Sequence, residues 1–273
     1  MLIKNPCGKE AYSSAIVTTL QTVYTAINGL LYADTYGIMI LYLSAVITFS
    51  RSKGGLLLIG YYNYSVILTY LGLGTGVVGI TSALNGNIRL SIICLLLCGF
   101  CDMFDGTVAR RCKRGDEAKC FGMQIDSLSD LVCFGVFPAM IGYVLGAANI
   151  FTLVCMIVYI LAALIRLGYF NVQEIMREPE DGKRTHYTGL PVTSAALIMP
   201  AIAMIGAVRF AAWPYVYPFA LLLMSFAFIC RVKIRKPYGA ALAVFAVLGA
   251  LILVLSIIYG GNIPCSRSFT AIG

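Results

Sequence analysis

IRLSIICLLLCGFCDMFDGTVARRCKRGDEAKCFGMQIDSLSD, residues 88–130, is an apolar run that ends in two acids, a basic loop, and two further acids that open the next apolar run. About 20 apolar residues are needed to cross roughly 30 Å of hydrocarbon, so these are two membrane helices meeting through a short loop. Carboxylates embedded in such helices cost a few kcal/mol each and are functional suspects by default. Their spacing strengthens the case. Asp102 and Asp105 are three apart, Asp126 and Asp130 four apart, so each pair shares one helix face. Antiparallel neighbours joined by a short loop would bring all four together at one membrane boundary.

The rest of the chain fits that frame. Of 273 residues, 60% are hydrophobic and only 12% charged, where a soluble domain has about 25% charged residues. That excludes a soluble enzyme, a disordered chain and a secreted disulfide scaffold. Seven apolar stretches, near 66–84, 88–110, 126–147, 150–171, 190–210, 214–230 and 238–259, predict an all-α polytopic membrane protein. The first 57 residues read as an extension, interfacial or one extra helix. Ala33-Asp34-Thr35 interrupts it, and the run from Gly37 to Phe49 is short for a crossing. No basic stretch with a cleavage site marks a signal peptide there.

The net charge is +8, from 20 Lys and Arg against 12 Asp and Glu. On a membrane chain this points to loops facing anionic lipid, and nucleic acid is not an expected partner. Arg110, Arg111, Lys113, Arg114 and Lys119 follow the second span, Arg177, Lys183 and Arg184 the fourth, and Arg231, Lys233, Arg235 and Lys236 the sixth. The opposite loops offer Arg89, Arg209 and Arg267. The positive-inside bias then places the acid-bearing boundary in the cytoplasm, with the plasma membrane as the expected location.

Clustered carboxylates repel one another unless a cation sits among them. Oxygen donors suit a hard divalent ion, Mg²⁺ or Mn²⁺, and two such ions about 3.5–4 Å apart form a phosphoryl-transfer clamp. Gly106 lets backbone approach a ligand beside the cluster, and Arg110 stands one turn further on, suited to a phosphate. The plainer alternative is a solvated helix end paired with neighbouring Lys and Arg.

Asp102-Met-Phe-Asp105-Gly106-Thr-Val-Ala109-Arg110, followed by Gly122-Met-Gln-Ile-Asp126-Ser-Leu-Ser-Asp130, resembles the D-x2-D-G-x2-A-R…G-x3-D-x3-D signature of the CDP-alcohol phosphotransferase family. Eight fixed positions agree over 29 residues. Eleven residues separate Arg110 from Gly122, more than the family usually shows. The resemblance implies a six-helix core, here with at least one additional C-terminal transmembrane helix, usually assembled as a homodimer. Residues 58–236 would be the catalytic transmembrane core and 237–273 the added helix and tail. It implies two divalent cations, Mg²⁺ or Mn²⁺, held by Asp102, Asp105, Asp126 and Asp130, with Asp130 also the general base. Gly106, Ala109 and Arg110, with Asp105, would hold the CDP-lipid. Thr69 joins them from the first span, although the Asn often found three residues before it is Val66 here; helix packing is its other reading.

Arg166-Leu-Gly-Tyr-Phe-Asn171 and Tyr187-Thr-Gly189-Leu-Pro191 resemble the R-x3-F-N…F-x-G-L-P pattern of the bacterial phosphatidylserine synthases of that family. This implies CDP-diacylglycerol and L-serine as substrates, with Arg166, Asn171 and Gly189 near the acceptor. An embedded Arg needs an anion, from a protein carboxylate or a ligand; a serine carboxylate or a substrate phosphate would suit it, and snorkelling to the headgroups is the alternative. A phosphorylated acceptor, glycerol 3-phosphate or an inositol phosphate, would call for more basic companions. A cation transporter would instead place its acids near mid-membrane in broken helices.

Two other motifs carry little. Gly74-Thr-Gly76-Val-Val-Gly79 has the G-x-G-x-x-G form but lies within an apolar span, and Gly72-x3-Gly76 there reads as close helix packing. Cys98 and Cys101 form a C-x-x-C without a second pair, so buried apolar cysteines are expected.

Overall fold

The computed structural model describes residues 64–111, 115–176, 186–206, 212–231, 233–235 and 240–263. The expected extension at 1–57 lies outside them. Helix α1 (Tyr64–Leu84) and helix α2 (Ile88–Arg111) form an antiparallel hairpin. Between them Gly86 adopts φ 79°, a left-handed turn that favours glycine, and Asn87 caps the next helix by accepting from the Leu90 N–H at 3.2 Å. A Cβ added at Gly79 would stand 2.8 Å from Cys94 Cβ and also meet the Phe137 ring. That crowding is the close packing expected of a small-residue stripe. Helix α1 runs unbroken through Gly74–Gly79, so no strand precedes a dinucleotide loop.

Helix α3 (Asp116–Asp130) passes directly into a six-residue π-helical turn, Leu131–Val136, and then into α4 (Phe137–Leu145). The three form one continuous rod, since the residues at each junction keep right-handed helical angles. The hydrophilic stretch between Arg110 and Gly122, expected as a loop, is therefore helical from Asp116 onward. Gly115 is extended and α3 starts at Asp116, with Glu117 favourably placed at the positive end of the helix dipole.

Helix α5 (Ile150–Ile175) begins at Asn149, whose Oδ1 accepts from the Thr152 N–H at 3.0 Å and its hydroxyl at 3.1 Å. A three-residue strand, β1 (His186–Thr188), and a 3₁₀ turn, Val192–Ser194, lead to α6 (Ala195–Ile205). Helix α7 (Trp213–Ile229), strand β2 (Lys233–Arg235) and α8 (Ala240–Tyr259) follow. The two short strands pair antiparallel, His186 opposite Arg235, so the ends of two basic loops meet.

Among the described residues, three helices are long and apolar enough to cross a membrane, Val66–Leu84, Glu117–Leu145 and Ile150–Ile175; Val192–Ile205, Trp213–Ile229 and Val247–Tyr259 are shorter apolar helices. Helix α2 is comparable in length, with four of its five charged residues in the C-terminal half and Arg89 in its first turn. The distribution of side chains is that of a membrane protein. Leu153, Ile157, Leu161, Leu164 and Ile165 project outward from α5, and Phe219, Leu223 and Phe226 from α7, each at least 47% exposed. A soluble bundle would carry polar residues on those faces. Tyr159, Tyr217, Phe134, Phe137 and Phe228 fill the centre instead. The chain is an all-α polytopic membrane protein.

Candidate active site

Asp102 comes from the second helix and Asp126 and Asp130 from the third, and one carboxylate oxygen of each lies within 4.8 Å of the others. The arrangement follows from the hairpins. α1 and α2 run side by side, and α3 packs against α1, so the acid faces of α2 and α3 look into one cleft. Its wall includes Thr69 and Gly72 from α1, Asp102 from α2, and Ser129 and Asp130 from α3. All three acids are partly buried. Oxygen donors this close, and with this much negative charge, fit a hard divalent cation. Among the described residues this is the one group of three or more metal-ligating side chains.

Thr69 lies in this cleft, 7% exposed, and its backbone carbonyl accepts from the Ser129 hydroxyl at 3.4 Å. Below it the thiols of Cys98 and Cys133 both donate to the carbonyl of Gly72, at 3.3 and 3.6 Å. These are the free, buried cysteines expected from the sequence, here acting as weak ties between α1, α2 and the π-helical turn. Asp105, Gly106, Ala109 and Arg110 lie on the last turns of α2, but their side chains are outside the described residues.

The acceptor segments are placed differently from the acids. Arg166 is 6% exposed. Its Nε donates to the Leu190 carbonyl at 3.2 Å, and its guanidinium sits 5.9 Å from the Phe170 ring centre. An embedded charge is thus spent partly on fastening a loop. Gly189 beside it has φ +82°, and a Cβ there would stand 2.9 Å from the Phe228 carbonyl oxygen. Leu190 N–H donates to Ala227 O at 3.2 Å, so the Gly189–Pro191 stretch is tied to both α5 and α7. Asn171, one turn beyond Arg166, reaches the acid helix: its Oδ1 accepts from the Ser127 hydroxyl at 2.9 Å. Sequence reasoning did not single out Ser127, Ser129 or the π-helical turn. The signal for Ser129 was its place beside Asp130 in the i, i+4 pattern; the turn's signal was Pro138, eight residues past Asp130.

Several curated proteins are similar to parts of this chain. A Saccharomyces cerevisiae CDP-diacylglycerol–serine O-phosphatidyltransferase is 37% identical over 108 residues, 38% of each chain. A Methanothermobacter thermautotrophicus archaetidylserine synthase is 33% identical over 143 residues, 51% of this chain and 57% of its own. A Bacillus subtilis CDP-diacylglycerol–serine O-phosphatidyltransferase is 29% identical over 126 residues, 45% of this chain and 66% of its own. The chain therefore spans between 38% and 66% of the length of these relatives. No solved structure matches it. The family model described as CDP-alcohol phosphatidyltransferase matches residues 62–222, which include every helix that lines the acid cleft, and the chain belongs to that family.

Proposed function

We propose that this protein is an integral-membrane phosphatidyltransferase that makes phosphatidylserine and CMP from CDP-diacylglycerol and L-serine. The observation that carries the reading is the convergence of Asp102, Asp126 and Asp130 in a cleft lined by Thr69, within the region that matches the family. Residues 58–236 would form the catalytic core, and 237–273 an appended helix and tail. The names of the relatives support serine in particular: they differ in the lipid, diacylglycerol or archaetidyl, and share the serine.

In this reading Asp102, Asp105, Asp126 and Asp130 hold two divalent cations, Mg²⁺ or Mn²⁺. When bound, such ions neutralise the charge of the pyrophosphate and of the departing CMP. Thr69, Asp105, Gly106, Ala109 and Arg110 hold the CDP part of the lipid. Asp130 accepts the proton of the serine hydroxyl as its oxygen forms a bond to the lipid-linked phosphorus and the bond to the CMP oxygen breaks. Arg166, Asn171 and Gly189 shape the acceptor side, through the Arg166–Leu190 and Ser127–Asn171 hydrogen bonds. The site faces the cytoplasm of the plasma membrane, following the charge asymmetry of the loops, and the protein works as a homodimer.

Serine is favoured over glycerol 3-phosphate or an inositol phosphate because Arg166 has few basic companions in its segment. A cation transporter is disfavoured because the acids sit where one apolar run ends and the next begins, beside Gly106 and Arg110, which suits phosphate chemistry. The test is CMP release from CDP-diacylglycerol by purified protein. Release that requires serine supports the assignment. Turnover with glycerol 3-phosphate and none with serine sinks the acceptor but keeps the family chemistry, and no release with any acceptor leaves the transporter reading in front.

A further inference from the structure

The wide turn that follows Asp130 has a cause in the sequence. In an α-helix the carbonyl of Phe134 takes its hydrogen bond from the N–H of residue 138. Residue 138 is proline, which has none. The Phe134 carbonyl is bonded instead to the hydroxyl of Tyr159 on α5, at 2.7 Å and out of contact with solvent: Tyr159 is 0% and Phe134 1% exposed. Upstream the ladder widens, the Phe137 N–H reaching five residues back to the Val132 carbonyl. A buried carbonyl without a donor is costly, so the hydroxyl stabilises the form in which that carbonyl turns toward α5.

The wide turn matters because of what lies on either side of it. A π-helical turn inserts one residue into an α-helix, and so rotates the two flanking halves by about 100° relative to each other. The downstream half buries Phe137, Ile141, Val144 and Leu145 in the core. The upstream half turns Asp126 and Asp130 toward Asp102. A plain α register would satisfy one half and misdirect the other. The turn is also closely seated, since a Cβ at Gly135 would stand 3.3 Å from Ala163, one turn beyond Tyr159 on α5.

We infer that Tyr159 is a positioning residue for the acid cleft: its hydroxyl replaces the amide that Pro138 lacks and holds the wide turn that aims Asp126 and Asp130 at Asp102. The inference rests on reading that cleft as a cation site. It assigns a role to a buried tyrosine that touches neither substrate nor metal.

Two variants of the full chain in detergent test it, with Mn²⁺ binding followed by electron paramagnetic resonance and folding by circular dichroism and thermal unfolding. Tyr159→Phe keeps the ring and removes the hydroxyl. It should weaken Mn²⁺ binding about tenfold, as loss of an outer support does at metal sites, and lower kcat while KM for both substrates stays near wild type. Pro138→Ala adds a donor and permits the α register; it should keep its helix content and bind Mn²⁺ more weakly still, and it carries the test if Tyr159→Phe does not fold. Wild-type Mn²⁺ affinity in a folded Tyr159→Phe, with only a lower melting temperature, would reduce Tyr159 to a packing residue and overturn the inference. Unchanged affinity in Pro138→Ala would do the same. A wild-type protein that binds no Mn²⁺ overturns the cation reading and this inference with it. One that binds Mn²⁺ but does not use serine overturns only the substrate assignment.

Discussion

The hydroxyl of Ser127 donates a 2.9 Å hydrogen bond to Oδ1 of Asn171, across 44 residues of chain. It joins α3, one residue past Asp126, to the C-terminal part of α5, the helix that carries Arg166 five residues earlier. Two motifs separate in the sequence therefore share a polar contact in the fold. In partly buried surroundings a hydrogen bond of this kind contributes about 0.5–1.5 kcal/mol. Ser127→Ala and Asn171→Ala should each lower serine-dependent turnover, and the double variant should lose little more than either single one. A double-mutant cycle on kcat/KM measures this, and fully additive losses would mean that the bond does not link the two segments in the working enzyme.

The acid cluster gives a sharper expectation. Asp102→Asn or Asp126→Asn keeps the shape of the side chain and removes a charge from a set of oxygens that lie within 4.8 Å of one another. Each should reduce CMP release by more than about a hundredfold, above the 10–100-fold typical of losses in the outer shell. Insertion should be undisturbed, because neutralising an embedded acid lowers its transfer cost. Chelation of divalent ions should abolish wild-type activity and added Mg²⁺ or Mn²⁺ restore it. Turnover at the wild-type rate in either purified variant would remove metal-assisted chemistry from the mechanism.

The apolar runs and the Asp126–Asp130 pair were legible because each depends on local spacing alone. Hydrocarbon thickness fixes the length of a run, and helix geometry puts Asp126 and Asp130 on one face. What was not legible depended on distant chain. The start of α3 at Asp116 was hidden, since a hydrophilic stretch of this kind reads equally as loop or as amphipathic helix. The π-helical turn needed both Pro138 and Tyr159, which are 21 residues apart, and neither announces the other. Arg166 was expected near an anion, and its Nε also donates to the backbone carbonyl of Leu190, a partner that side-chain patterns do not reveal.

That contact changes what Arg166→Lys should do. Lysine keeps a charge but has no Nε–H and no planar fork, so the bond to Leu190 O is lost. Hydrogen bonds involving a charged group contribute about 1.5–3 kcal/mol, and a loss of that order should appear in thermal unfolding as well as in KM for serine. A rise in KM with unchanged melting temperature would place the whole effect of Arg166 on the substrate and none on the loop.

Gly189 offers the most selective probe of that loop. Its φ of +82° is a conformation L side chains rarely adopt, and an added Cβ would stand 2.9 Å from Phe228 O and 3.1 Å from Cys230 O. Neither neighbour is a flexible side-chain tip; both are backbone carbonyls at the end of α7. Gly189→Ala must therefore distort the loop, at a cost of about 1–3 kcal/mol. A shift of the loop would strain the Leu190 N–H bond to Ala227 O and the Arg166 bond to Leu190 O. Activity with serine should fall together with thermal stability. Gly168 is the matched control. It lies inside α5, is exposed, and a Cβ there meets nothing within 4 Å. Gly168→Ala should stabilise the helix by about 0.5–1 kcal/mol through the lower entropy of the unfolded chain, and leave turnover unchanged. If Gly189→Ala behaves like Gly168→Ala, the loop tolerates a side chain and its fastening to Arg166 and α7 does not set the acceptor side of the cleft.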